Sequence, residues 1–218
     1  MNEIWQILRV DFKLEFRNPF LLYSALLFVV SSTYTAYLSH SGIIQEESWL
    51  AVLLILLIFS ALFAAQQSFN QSSGKSYLLF HQLIKPSHLF LGRLIFQLLF
   101  QSVLTAFTLG FMFFLFTVKI EHPSEFILLI FLASLALTSV LTTMSGLAAR
   151  AGKNQSLLTI LCLPLLYPVV SLSVKAGSMA MKAPFLPEFF HQITLLLFLV
   201  FGLSTALGLL LFPYIWRD

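Results

Sequence analysis

Residues 49–69 read WLAVLLILLIFSALFAAQQSF and contain no charged side chain. A helix of about 20 apolar residues has the length needed to cross the hydrocarbon core of a membrane. Five further segments qualify on the same grounds, at 20–38, 94–118, 126–149, 156–174 and 189–211. The chain is 59% hydrophobic and 10% charged, whereas a soluble domain has about 25% charged residues. We therefore predict an all-α polytopic membrane protein, with one six-span domain over residues 1–218.

The basic residues are distributed unevenly between the two ends of these spans. If the N-terminus is cytoplasmic, nine lysines and arginines fall on that side and three on the other. The nine are Arg9, Lys13, Arg17, Lys75, Lys85, Arg93, Arg150, Lys153 and Arg217, and the three are Lys119, Lys175 and Lys182. Because cytoplasmic loops carry an excess of lysine and arginine, we expect both termini in the cytoplasm. A cleaved signal peptide is the alternative for the first span, but the length of the span and the sequence TYTA favour an uncleaved helix.

Residues 1–18 are predicted to form an amphipathic helix at the membrane surface. The stretch LRVDFKLEFR alternates apolar and polar residues, which is also typical of a strand, but a lone strand would leave its backbone groups unpaired. Three basic residues share one arc of the helical wheel: Arg9, Lys13 and Arg17. Asp11 and Glu15 fall on the apolar arc, so we expect them to pair with basic loop residues or to cap another part of the protein.

The sequence SSGKS at 72–76 has the ending of a phosphate-binding loop. The complete motif requires a glycine five residues before Gly74, where this chain has Phe69. It also requires a strand that runs into the loop, whereas the preceding residues form an apolar run of helix length. We therefore expect no ATPase site in this chain. The sequence also offers no set of catalytic residues, no metal site and no nucleic-acid partner.

Residues 70–88 form the longest connection on the predicted cytoplasmic side. NQSSG is a turn-forming run, and KSYLLFHQLIKP has room for about three helical turns before Pro86 ends them. Five residues give this segment an aromatic and basic edge: Lys75, Tyr77, Phe80, Leu83 and Lys85. We interpret it as a coupling loop that docks a cytoplasmic partner, because aromatic side chains are typical anchors of protein interfaces. A solvated loop is the alternative.

The fifth predicted span contains LCLPLLYPVVSLS at 161–173, with Pro164 and Pro168 one helical turn apart. Each proline removes a backbone donor, so we expect a kink or a local unwinding. Irregular backbone at membrane depth is tolerated against protein or water, which predicts an inner helix and a hinge. A static packing kink is the alternative. The only cysteine, Cys162, lies in the same run and is read as a small packing residue.

Polar side chains recur at helical spacing in the third and fourth spans. The stripe on the third span contains Gln97, Gln101, Thr105 and Thr108, and the stripe on the fourth contains Ser134, Thr138, Thr142 and Ser145. Small hydroxyl residues let membrane helices approach closely and hydrogen-bond to each other, so we expect these stripes to pack helices together. Lining a substrate path is the alternative.

Three stretches resemble heme exporter protein B, the permease family of the cytochrome c maturation system. They are VDFKLEFR at 10–17, GKSYLLFHQLIKP at 74–86 and LPLLYP at 163–168, of which the last is the most specific. The likeness covers nearly the whole chain. The family's second loop is usually rich in acidic residues, whereas QQSFNQSSGKS has none.

The resemblance implies a multi-pass subunit of an ABC-type export complex in the bacterial inner membrane. Such a subunit works with a separate cytoplasmic ATPase, a heme-handling membrane protein and a heme chaperone, as a homodimer or pseudo-dimer. It implies heme as a candidate substrate, no covalently bound cofactor, and ATP used only through the partner. The ATP step then exports heme or releases heme-loaded chaperone. Another ABC-2-type permease, for a lipid, a drug or a polysaccharide, is the alternative.

Overall fold

The chain is almost entirely helical in a computed structural model that describes residues 2–17, 19–40, 42–70, 85–150, 155–182 and 185–215. Within those ranges it forms seven α-helices and no β-strand. The helices are α1 (Asn2–Arg17), α2 (Phe20–Ser39), α3 (Glu46–Asn70), α4 (Pro86–Leu115), α5 (Pro123–Arg150), α6 (Gln155–Met181) and α7 (Pro187–Ile215). The all-α prediction is confirmed, and the alternating segment LRVDFKLEFR is helical because it lies within α1.

Four helices in the described part of the chain are long and apolar enough to cross a membrane: α3, α4, α5 and α7. The predicted spans at 20–38 and 156–174 coincide with α2 and α6, but their crossing of a membrane stays a prediction. The largest boundary differences are in α4, which begins at Pro86, and in α6, which continues to Met181. Proline suits the first turn of α4, where the N–H that it lacks has no helical acceptor.

Ring contacts and hydrogen bonds fix the relative directions of the helices. Trp49, in the first turn of α3, has ring centroids 5.3 Å from Phe113 near the end of α4 and 5.8 Å from Phe126 near the start of α5. At the other end of the bundle, Phe90 near the start of α4 lies 5.4 Å from Phe212 near the end of α7. Helix α4 is therefore antiparallel to α3, α5 and α7. We call the end with Phe90 the α1 end, because α1 packs there.

Helix α5 lies at the centre of the bundle, where it packs against α3, α4, α6 and α7. Within the most apolar part of α5, 72% of the residues are buried, against 17% in α7. The main hydrophobic cluster contains Leu53 and Leu57 of α3, Leu137 and Leu141 of α5, and Val169 of α6, all at most 1% exposed. Helix α7 thus lies at the edge of this single chain, with most of its apolar surface open.

Candidate functional site

The eight residues of the two predicted stripes are all buried: Gln97, Gln101, Thr105, Thr108, Ser134, Thr138, Thr142 and Ser145. The two glutamines of α4 reach across to α3. Nε2 of Gln97 donates to the carbonyl of Ala64 at 2.5 Å. Nε2 of Gln101 donates to Oγ of Ser60 at 3.0 Å and to the carbonyl of Leu57 at 3.3 Å. These are contacts between helices in the middle of an apolar bundle, where a polar group has no water to bind.

Helix α5 approaches the same part of α3 from another side. Oγ of Ser145 donates to the carbonyl of Ala65 at 2.5 Å, one residue beyond the carbonyl held by Gln97. By contrast, the hydroxyls of Thr138 and Ser134 donate to carbonyls of their own helix, at 2.7 Å each. Of the four residues in the stripe on α5, one therefore bonds across helices and two bond locally, and among the described residues no partner reaches Oγ1 of Thr142.

We call Ser60, Gln97, Gln101, Thr105, Thr142 and Ser145 the polar seam, since they lie along the junction of α3, α4 and α5. Within the seam, Gln97 and Ser145 form a clasp on the adjacent carbonyls of Ala64 and Ala65. Among the described residues, no hydrogen-bond partner reaches three of its buried atoms: Oε1 of Gln97, Oγ1 of Thr105 and Oγ1 of Thr142. A buried polar atom without a partner costs about 1–3 kcal/mol.

A second polar contact joins α5 to α7 and was not predicted from the sequence. The hydroxyls of Ser139 and Ser204 lie 2.5 Å apart, and Oγ1 of Thr143 donates to the carbonyl of Ser204 at 3.1 Å. Ser139 and Thr143 are four residues apart on a different face of α5 from Ser145, so a second hydroxyl pair at helical spacing was the available signal. Helix α5 is thus hydrogen-bonded on two sides.

Helix α1 is packed onto the start of α4. Ile7 and Leu8 are buried, and the ring of Phe12 lies 5.1 Å from that of Phe96 in an edge-to-face arrangement. Gly92 is needed at this contact, because a Cβ there would lie 2.8 Å from Cγ2 of Ile7. A Cβ at that distance would force a shift in the packing, so this side of α1 is fitted to the protein.

The two acidic residues on the apolar arc of α1 have distinct roles. The carboxylate of Glu15 accepts a hydrogen bond from the N–H of Leu22 at 3.2 Å, which caps the first turn of α2. Burial raises the pKa of Glu15, and this hydrogen bond opposes the rise. Burial also raises the pKa of Asp11, and the positive charge of Arg93 in α4 opposes it. Glu15 thus caps protein, and Asp11 is placed near a cation of another helix.

The sequence predicted a kink or a local unwinding at Pro164 and Pro168; α6 is continuous through both prolines, so it does not unwind there, and the kink stays a prediction. Cys162, Leu166 and Val169 are buried on one face, while the ring of Tyr167 is 75% exposed on the other. The described part of this chain therefore encloses α6 on one side only, rather than on all sides as expected for an inner helix. Whether the two prolines form a hinge stays a prediction.

The predicted docking residues Lys75, Tyr77, Phe80 and Leu83 lie outside the described residues. Lys85 is described: it is exposed and extended, with φ −63° and ψ 134°, directly before α4. The loop therefore leaves α3 just beyond the clasp and returns at the start of α4, beside α1.

The histidines at the opposite end make local contacts. A ring nitrogen of His40 lies 3.0 Å from the carbonyl of Ala36, and one of His191 lies 2.6 Å from that of Pro187. The ring of His122 stacks on Phe185 at 4.3 Å. Within the described part of the chain, no group of three or more His, Cys, Asp and Glu side chains is placed to hold a metal ion.

No model of a known protein family matches the chain, and no curated protein matches it either.

Proposed function

We propose that this chain is the membrane subunit of an ABC-type export complex that acts in cytochrome c maturation. In this proposal six helices, α2 to α7, cross the bacterial inner membrane, and both termini and α1 lie on the cytoplasmic side. A separate ATPase supplies the energy, and the complex exports heme or releases a heme-loaded chaperone. The support for the heme system is the likeness carried by VDFKLEFR, GKSYLLFHQLIKP and LPLLYP.

The observation that carries the subunit role is the construction of the α1 end. Ile7 and Leu8 anchor α1 on the bundle, whereas Arg9, Lys13 and Arg17 are exposed. At the same end of the bundle, α3 ends before residues 71–84 and α4 begins after them. A permease without its own ATPase must receive mechanical work at one end, and a helix anchored by two buried residues, with an exposed basic face beside the longest loop, is suited to that task.

The docking site that we propose for the ATPase is the loop edge of Lys75, Tyr77, Phe80, Leu83 and Lys85. Phe80→Asp places a charge in the contact and should weaken binding by about 2 kcal/mol or more if Phe80 is an anchor. The measurement is recovery of the ATPase with the variant, purified at equal membrane levels. Gln82→Asp introduces the same charge away from the apolar edge and is the matched control. Equal recovery with both variants and wild type would rule out this edge as the main contact.

The heme assignment has its own test. The protein should be captured from native membranes under mild detergent, and its partners identified by mass spectrometry. We expect a cytoplasmic ATPase together with heme-handling proteins of cytochrome c assembly, and loss of the chain should abolish mature c-type cytochromes. An ATPase without any cytochrome-assembly protein, and normal cytochrome levels in the deletion strain, would contradict the heme role while preserving the permease role.

The second candidate is an ABC-2-type permease for a lipid or another amphiphile. A groove of about 410 Å³ between α2 and α3 favours it. The lining combines apolar side chains with polar ones, and the polar ones are Ser31, Ser32, Thr35, Ser39 and His40. An amphiphile would meet both kinds of surface there.

We also propose that the subunit works as a dimer or pseudo-dimer. The support is the open face of α6: Pro168 has no N–H, so the carbonyl of Pro164 loses its helical donor. Lipid cannot satisfy a free carbonyl, whereas a neighbouring protein can.

A further inference from the structure

We propose that the α1-end half of α3 is a gate helix, and that the polar seam behind it is a passage for uncharged hydrogen-bonding groups. This inference rests on the proposed function for its energy source only. Heme carries two carboxylates, so the seam is not a path for heme, and the gate and the seam are properties of the chain alone. The observation that carries it is the combination of the clasp with three buried polar atoms that have no partner.

The clasp lies where a moving α3 would be restrained. Gln97 and Ser145 come from two different helices and bind two consecutive carbonyls, those of Ala64 and Ala65. These carbonyls lie near the end of α3, between the bundle core and the loop at 71–84. A pull on the loop acts on this end of α3 first, and its separation must break the two hydrogen bonds of the clasp together with the packing of Ala61, Ala64 and Ala65.

The unpartnered atoms define what the opened seam would hold. Gln97 is 1% exposed, and Thr105 and Thr142 are 0% exposed, so water does not reach their side chains in this state. Oε1 of Gln97 accepts hydrogen bonds only, whereas the two hydroxyls donate and accept. From Gln97 to Thr105 the seam extends about 12 Å along α4, since each helical residue rises about 1.5 Å.

The seam contains no charged side chain, which determines the class of ligand. The nearest charge along α4 is Arg93, one turn before Gln97, and it lies close to the carboxyl of Asp11 on α1. An ion inside the seam would be unpaired in a medium of low dielectric constant, which is costly. Water and uncharged hydroxyl or amide groups of a cargo meet the requirements of all three atoms.

Cysteine accessibility tests the proposal on the chain itself, in membrane vesicles. Thr105→Cys and Thr142→Cys are each placed in a Cys162→Ala background. The native chain, in which Cys162 is 0% exposed within the apolar core, is the buried control. Two thiosulfonate reagents with the same reactive group are compared, hydroxyethyl and sulfonatoethyl methanethiosulfonate, one neutral and one anionic.

Breaking the clasp with Gln97→Leu and Ser145→Ala should raise the rate of neutral labelling at both seam positions about tenfold or more. That is the change in an opening equilibrium expected from the loss of two net hydrogen bonds. Ser139→Ala removes a hydroxyl on the α7 side of α5 and should leave the rates unchanged. The anionic reagent should remain slow throughout. Thermal unfolding checks that each variant is folded. If the Gln97→Leu/Ser145→Ala double variant does not fold, Ser145→Ala alone is used in its place.

If the seam positions are labelled as slowly as Cys162 both with and without the clasp, the gate is refuted. If the neutral and the anionic reagent label the seam positions at equal rates, the uncharged passage is refuted. The complex with its ATPase then separates the two proposals. ATP with vanadate should accelerate labelling as the clasp variant does. Acceleration by the clasp variant but not by nucleotide would retain the gate and refute the proposed energy source.

Discussion

The tightest contact at the α1 end provides a quantitative test of the packing. Gly208 of α7 faces the ring of Phe90, and a Cβ at Gly208 would lie 2.7 and 2.9 Å from two ring carbons, with the ring's Cζ nearer still. Phe90 is 0% exposed and its ring contacts Phe212, so it has no open space into which to move. Overpacking a well-filled site costs about 1–3 kcal/mol.

Two effects oppose each other in the Gly208→Ala variant. Alanine is a better helix former than glycine by about 1 kcal/mol, which stabilises the folded state. The overlap with Phe90 is a collision with a fully buried ring rather than with the end of a flexible chain, so we place its cost at about 3 kcal/mol, the upper part of the overpacking range. The net expectation is a loss of about 2 kcal/mol, or a fall in Tm of about 4–8 °C for a chain of this size.

Gly202 on the same helix is the matched control, because nothing lies within 4 Å of a Cβ built there. Gly202→Ala should therefore show only the helix-propensity gain and raise Tm by about 2–4 °C. Thermal unfolding in detergent measures both variants. Adding Phe90→Leu to Gly208→Ala should recover part of the loss, as a double-mutant cycle reports. A Gly208→Ala protein as stable as the Gly202→Ala protein would refute the packing described for α4 and α7.

Three further outcomes are expected. Burial raises the pKa of Asp11 above 3.8, so the folded state binds this proton more tightly than the unfolded state, and stability should increase as pH falls toward 3.8. Asp11→Asn should reduce that increase in a series of unfolding measurements, and an unchanged pH profile would contradict the burial. Reporter fusions after Asp218 should behave as cytoplasmic and fusions within 40–47 as external; the reverse would invert the topology. Pro164→Ala and Pro168→Ala should insert normally but impair cytochrome c maturation, whereas full activity would favour a static kink.

The helices themselves were predictable from the sequence because hydrophobic runs of membrane length leave few alternatives. All six predicted spans coincide with helices in the described residues, and the interfacial segment is helical as well. The ends were less predictable. Residues around Pro86 read as a loop because proline breaks a helix interior, but proline is also favoured in a first turn, and only the packing of α4 against α1 decides between these readings.

The sequence predicted the two polar stripes of the seam but not which helix each stripe contacts. Helical periodicity places Gln97 and Gln101 on one face, but the face does not specify a neighbour. That Gln97 binds Ala64 depends on the antiparallel register of α3 and α4, which the whole bundle sets. For Glu15, the expectation that it caps another part of the protein is confirmed, but the sequence does not show that the capped segment is the first turn of α2.

The contact between α1 and α4 also constrains how the protein is made. The ribosome synthesises α1 before α4, so α1 is made before the surface around Gly92 that receives Ile7 exists. Until α4 has been synthesised, the apolar side of α1 and the carboxylates of Asp11 and Glu15 have no part of α4 to pack against. In the proposed topology, we expect the exposed Arg9, Lys13 and Arg17 on its other face to hold it at anionic lipid headgroups during that interval. Helix α1 is therefore made before α4 but reaches its final packing only after α4 has been made.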